Sequence, residues 1–149
     1  MPVKKNKKEA ALDFFSADLN SGNEVPITET GIHAGFPSPA EDFIEMKLDL
    51  NKELVKNSNS TFYGRVRGNS MKDAGISDGD ILVIDKSLEP RNNKIAVCFI
   101  DGEFTVKRIR IVKGEVYLVP ANSEFKPIRI IEENAFMVWG IVTYVIHKY

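Results

Sequence analysis

The sequence predicts an all-β (mainly β) body carrying one short N-terminal helix and an extended N-terminal arm. Beyond Thr61, six runs rich in Val, Ile, Phe and Tyr are bounded by turn residues. Asp101-Gly102 separates two of them, the pair favoured in a type I′ hairpin turn, which needs positive φ at both central residues. Residues 1–34 show little periodicity and differ in character from the rest, which sets an arm apart from a body.

The elements follow in order. Lys4, Lys5, Lys7 and Lys8 open the chain as a solvated terminus, and a helix over Lys7–Phe15 is too short to stand alone. Asn20 to Gly31 mixes Gly, Ser, Asn, Pro and Thr and reads as extended. Gly35-Phe36-Pro37-Ser38-Pro39-Ala40 reads as a stiff strand without regular pairing, because proline fixes φ and removes a donor. Phe43, Met46, Leu50 and Leu54 fall near a 3.6 period. They predict an amphipathic helix from Pro39 or Ala40 to about Asp49, with a second turn at Leu50–Val55. The expected strands are Phe62–Val66, Ile81–Asp85, Lys94–Ile100, Glu103–Val112, Glu115–Pro120 and Phe136–His147. Lys113-Gly114 is a second, weaker hairpin signal. The apolar run Phe136–Ile146 admits two readings, a central core strand or a dimer contact.

With 149 residues the chain is expected to be one domain plus an arm. Twenty Lys+Arg against twenty-one Asp+Glu give a net charge of −1, which argues against a broad non-specific nucleic-acid binder. One cysteine makes no intrachain disulfide and excludes a four-cysteine zinc site. No apolar run approaches a membrane span and no signal-type apolar region opens the chain, so it reads as a cytosolic protein with no membrane partner.

The possible chemical centres are few. His33 and His147 sit at opposite ends of the chain with no metal-ligand spacing around either, so both read as surface residues and no metal or cofactor is expected. Cys98, within Ile95–Ile100, reads as a small buried hydrophobe. Asp78-Gly79-Asp80 lacks the calcium-loop pattern and reads as a turn opening a strand. That leaves Gly68-Asn69-Ser70-Met71, after a strand and before a polar turn containing Gly75. A serine there can project its hydroxyl from the strand end, with the N–H groups of Asn69 and Ser70 turned toward a developing oxyanion; taken alone, a Gly-x-Ser-x turn is more commonly structural.

Four motifs, in order, resemble a family. Val66-x-Gly68-x-Ser70-Met71, Ile76-x-x-Gly79-Asp80-x-Leu82-x-x-Asp85 and Asp101-Gly102-Glu103-Phe104-Thr105-Val106-Lys107-Arg108 are similar to the self-cleaving serine–lysine proteins of the LexA/UmuD family. Ala34-Gly35-Phe36-Pro37-Ser38-Pro39-Ala40 resembles that family's self-cleavage segment, in which the broken bond precedes a glycine. The likeness runs from about Ala34 to the C-terminus, and the short arm places it nearest the UmuD branch. Where that branch often has Asp before the serine, this chain has Asn69, a position expected to contribute its backbone.

The resemblance implies coiled sheets like those of LexA and the signal peptidases. It implies Ser70 as nucleophile, Lys107 as general base and a cut between Ala34 and Gly35. Residues 1–34 are then the removed arm, and 35–149 a peptidase and dimerisation domain. It further implies stimulation by a RecA filament on single-stranded DNA, and a processed homodimer joining a UmuC-like Y-family polymerase in error-prone translesion synthesis during the SOS response. A lysine can act as base only when neutral, and bringing its pKa from about 10.4 to about 7 or 8 takes desolvation worth roughly 3–5 kcal/mol. Lys107 lies in the most apolar part of the body and shares a strand face with Thr105 and Ile109. From the residues alone the reading as a solvated strand residue like Arg108 or Arg110 is the favoured one; the resemblance reverses this in favour of the buried base.

Two other functions remain in view. A LexA-like repressor needs a DNA-binding domain of well over 34 residues, and nothing before Ala34 shows two amphipathic helices joined by a turn, so no direct sequence-specific DNA binding is expected. A catalytically idle dimeric binding module would be favoured by loss of Ser70 or Lys107, and both are present.

Overall fold

The β-patterned runs assemble into one long, bent antiparallel sheet. The computed structural model describes residues 12–18, 22, 24–28, 34–35 and 45–149. Its elements are β1 (Leu12–Ser16), β2 (Glu24–Thr28), β3 (Glu45–Asp49), α1 (Leu50–Leu54), β4 (Thr61–Val66), β5 (Ile81–Asp85), β6 (Ile95–Ile100), β7 (Glu103–Val112), β8 (Glu115–Val119), β9 (Ile128–Arg129) and β10 (Phe136–Ile146). The main sheet has the order β1-β4-β5-β10-β6-β7-β8-β9, and β2 pairs with β3 in a separate two-stranded sheet.

The mainly-β class and the six body strands match the sequence pattern to within a residue at each end. Asp101 and Gly102 both take positive φ (48° and 87°), as do Lys113 and Gly114 (50° and 79°), so both hairpin turns have the predicted backbone. β10 runs through the middle of the sheet, paired on one edge with β5 and on the other with β6. It is a central strand, yet only Gly140 and Ile141 are buried along it, and Met137, Tyr144, Val145 and Ile146 stay exposed. It bends at two register shifts, between Val138 and Gly140 and between Val142 and Tyr144. Gly140 is required there by close approach, because a Cβ would lie 2.6 Å from Ile84 Cγ2.

Two expectations are corrected and one is refined. The helix predicted up to Asp49 is a strand from Glu45, and the helix begins only at Leu50. Asp49 is the reason: its carboxylate accepts a hydrogen bond from the Asn51 N–H at 3.0 Å, which starts a helix rather than continuing one. Met46, Leu48 and Leu50 also fit a period of two, and pairing with β2 selects it. The helix considered over Lys7–Phe15 is instead β1 from Leu12, because a short isolated helix gains less than a strand added to the β4 edge. The extended arm is strand-paired at Glu24–Thr28. Residues 1–11, His33 and the segment 36–44, with its proline run, lie outside the described residues.

Two clusters of buried residues make up the core. Leu12, Val66, Met71, Ile76, Leu82, Ile84, Val97 and Val106 form one, and Ala96, Cys98, Ile109, Leu118 and Ile141 the other. Each fully buried Leu, Ile or Val in them contributes about 1.5–3 kcal/mol.

Candidate active site

Ser70 lies in the loop that leaves β4, just before the single turn of 3-10 helix Lys72–Ala74. Both sides of the loop are fastened. Gly68, at φ 92°, donates its N–H to Asp78 Oδ1 at 2.7 Å, and the Gly79 N–H bonds Val66 O at 2.8 Å. The Asp78-Gly79-Asp80 turn thus opens β5 and clamps the start of the serine loop. On the far side, the Ala121 N–H donates to Ser70 O at 2.8 Å, and Asn122 Nδ2 donates to Asn69 O at 2.9 Å. With both carbonyls held, the peptide planes on either side of Ser70 have one orientation. Among the described residues the N–H groups of Asn69 and Ser70 donate to no protein acceptor. Donors of that kind, left open beside a hydroxyl, are what an oxyanion requires.

Lys107 comes to this loop from the middle of β7. Thr105 shares its strand face, and Ala96 and Cys98 are the cross-strand neighbours of Lys107 and Thr105. Both neighbours are wholly buried, so the aliphatic stem of Lys107 runs over apolar wall and its side chain is only 7% exposed. Nζ ends 3.0 Å from Ser70 Oγ, 2.7 Å from Thr105 Oγ1 and 3.1 Å from Val106 O. All three partners are neutral, and among the described residues no carboxylate pairs with it. Burial accordingly pushes the Lys107 ammonium below the ordinary lysine range. Burial likewise pushes the Cys98 thiol up to about 12, so Cys98 stands beside Lys107 as a neutral hydrophobe.

A pocket of about 30 Å³ opens beside Ser70. Val66, Met71, Ile76, Thr105 and Val106 line it, with Gly68 at its rim. Ala34 and Gly35 are exposed in a bend, and neither lines this pocket. His147 bonds neither Ser70 nor Lys107: its Nδ1 meets Asp80 Oδ1, and the ring is partly exposed. Among the described residues no group of three or more His, Cys, Asp or Glu is arranged to hold a metal, and no helix is long and apolar enough to cross a membrane.

The structure therefore brings Ser70, Lys107 and the Asn69 and Ser70 amides into one corner, with the Ala34–Gly35 bond outside it. Sequence reasoning did not single out Thr105 as a hydrogen-bond partner of Nζ, nor Asp78, Ala121 and Asn122 as the clamps of the loop. Asn122 is 52 residues beyond Ser70 and carries no local signal beyond being a polar residue in a turn.

Residues 26–143 match the peptidase S24-like family. The chain belongs to that family. Protein SamA of Salmonella typhimurium is 43% identical over 124 residues, covering 83% of this chain and 86% of SamA. Protein ImpA of Escherichia coli is 39% identical over 123 residues, 83% of each chain. Protein MucA of Escherichia coli is 37% identical over 132 residues, 88% of this chain and 90% of MucA. These relatives place the chain among the UmuD-like members of the S24 peptidases, a serine-peptidase family with an all-β fold.

Proposed function

We propose that this chain is a UmuD-type self-cleaving serine peptidase of the SOS response. Ser70 attacks the peptide bond between Ala34 and Gly35, with Lys107 as general base. The observation that best supports this reading is the 3.0 Å contact of Lys107 Nζ with Ser70 Oγ, at a nitrogen buried without a counter-charge.

The three neighbours of Nζ suit a change of protonation. As an ammonium, Nζ donates to Ser70 Oγ, Thr105 Oγ1 and Val106 O. After losing one proton it keeps two N–H donors for Thr105 and Val106, and its lone pair faces Ser70, whose O–H then donates to it. As Oγ bonds to the Ala34 carbonyl carbon, its proton passes to Nζ. The Asn69 and Ser70 N–H groups receive the oxyanion. Collapse breaks the C–N bond, and the Gly35 amine leaves with the proton from Nζ. A water, deprotonated by the same lysine, then hydrolyses the acyl-serine and restores the hydroxyl.

The small pocket matches the methyl side chain of Ala34, and Gly35 presents no Cβ to the incoming nucleophile. Thirty-five positions separate Gly35 from Ser70, a reach of up to about 120 Å if extended, so the segment can reach its own or a partner's site. Since Ala34 and Gly35 stand outside the pocket, cleavage requires that the segment be carried in. That is the step at which a RecA filament on single-stranded DNA acts. The product, residues 35–149, then works in the cytoplasm as a homodimer with a UmuC-like Y-family polymerase in translesion synthesis.

Incubation with an activated RecA filament, followed by intact-mass analysis and N-terminal sequencing, tests the reading. A single new terminus at Gly35, absent from Ser70→Ala, is expected. A terminus elsewhere overturns the assigned bond, and cleavage by Ser70→Ala overturns the nucleophile. Light scattering that returns a monomer at micromolar concentration overturns the dimer.

A further inference from the structure

The segment before Gly35 supplies one strand to each sheet, and both of those strands pair with chain that follows Gly35. β1 pairs with β4 from Leu12↔Val66 to Ser16↔Phe62, and β2 pairs with β3 from Glu24↔Asp49 to Thr28↔Glu45. The Ala34–Gly35 bond lies in neither ladder. Cutting it removes the covalent link between arm and body and leaves both ladders intact.

The contacts of β1 are those of an integral edge strand. Leu12 is 3% exposed and belongs to the same cluster as Val66, Met71 and Ile76, three of the residues that line the pocket at Ser70. Phe14, on the same face, lies 4.7 Å from the Trp139 ring and 4.9 Å from the Phe104 ring, centroid to centroid. Opposite Phe14 stands Gly64, where a Cβ would come within 3.4 Å of Leu12 Cδ2 and 3.1 Å of Ile84 Cδ1, so its bare backbone leaves room for Leu12. Asp13 on the other face pairs with Arg67 at 2.7 Å. A ladder of main-chain bonds, two apolar anchors on alternate residues and one charge pair are the elements by which a sheet edge binds a separate strand.

We propose that the cut does not free the arm: β1 stays docked as a non-covalent edge strand, in a groove formed by the β4 edge and the rings of Phe104 and Trp139. This rests on the self-cleavage reading for the position of the cut. Before the cut the strand is held at the high effective concentration of a tether, and after it by its own affinity. Loss of the fragment then becomes a second event, governed by dilution or by competition from another strand, and the wall behind Ser70 keeps Leu12 until it happens.

The test makes the nick without the protein's own chemistry. A recognition sequence for a sequence-specific endoprotease is inserted between Ala34 and Gly35 in the full-length Ser70→Ala chain, and the added protease cuts it. Gel filtration with mass analysis of the body peak reads retention, and emission from Trp139, the single tryptophan, reads the groove. The fragment is expected to co-elute at close to one per body with unchanged emission, and to leave on dilution as the emission changes. Phe14→Ala is expected to weaken retention at least tenfold. Asp13→Lys, at a partly exposed position, provides the same comparison should Phe14→Ala fail to fold, with retention that falls most at low salt. Elution of the fragment apart from a folded body at the highest concentration overturns the proposal, as does equal retention by the groove variants. Failure of the wild-type chain to cut itself is read separately, by the activator experiment, and leaves this result standing.

Discussion

Lys107 and Asp85 are both nearly sealed from solvent, at 7% and 6% exposed, yet the protein treats their charges in opposite ways. Around Lys107 stand two hydroxyls, one carbonyl and apolar wall, with no opposite charge, and burial lowers its pKa toward the neutral amine. Around Asp85, burial alone would raise the pKa. Donors outweigh it: Ser87 Oγ at 2.6 Å, the Ser87 N–H at 2.8 Å and Ser60 Oγ at 3.1 Å hold the carboxyl below the usual value. Burial is therefore not what separates a reactive group from a structural one. The partners are: donors aimed at the Asp85 carboxylate outweigh its burial, whereas neutral acceptors without a counter-charge do not offset the desolvation that lowers the Lys107 pKa.

The comparison breaks first at the reaction itself. Lys107→Arg and Lys107→Ala are each expected to abolish self-cleavage, since guanidinium stays charged and alanine has no base, while circular dichroism shows the fold retained. Arginine that still supports cleavage would mean that another group takes the serine proton.

A smaller effect sharpens it. Slow cleavage without activator is expected to accelerate about tenfold per pH unit while Lys107 is protonated, then to level off below the ordinary lysine range. A flat pH profile would remove Lys107 from the rate-limiting proton transfer.

Asp85→Asn comes next. It is expected to cost about 1–3 kcal/mol in urea unfolding, because donors lose an ionic acceptor, and to leave the cleavage pH profile unmoved. The sign follows from its lowered pKa: Asp85 adds stability that is present above its unfolded value of about 3.9 and lost as pH falls through the folded value. In the variant, that part of the acid sensitivity disappears.

Lys107→Met is expected to show the smallest change and the opposite direction, a gain of about 1 kcal/mol at neutral pH. The folded state binds fewer protons at Lys107 than the unfolded chain does. Wild-type stability should therefore rise with pH between the lowered folded pKa and the unfolded value of about 10.4. In the methionine variant that rise should vanish, and a loss of stability there would show that the amine is well accommodated as an ion.

Much of the body is legible in the sequence because its signals are local. Period-two apolar runs and the turns at Asp101-Gly102 and Lys113-Gly114 depend on neighbours in the chain, and the strands follow from them. The arm and the segment before Leu50 are less legible, because β1, β2 and β3 owe their form to partners 17 to 54 residues away. Local reading of Phe43, Met46, Leu50 and Leu54 therefore favoured a helix where pairing made a strand. Ser70 stands out because a glycine and a turn flank it, and Lys107 only through its family motif, since nothing beside it separates it from Arg108 and Arg110.

The sequence by itself determined the β body, its hairpins and the presence of one serine loop. These follow from backbone preferences and from which reactive residue types the chain contains. Tertiary structure decided that Ala96 and Cys98 stand across from Lys107 and Thr105, that Ala121 and Asn122 hold the serine loop, and that Nζ meets Oγ. The physical reason is desolvation. A lysine's charge depends on what surrounds its last atom, and those surroundings are assembled from strands that meet only when the sheet closes around them.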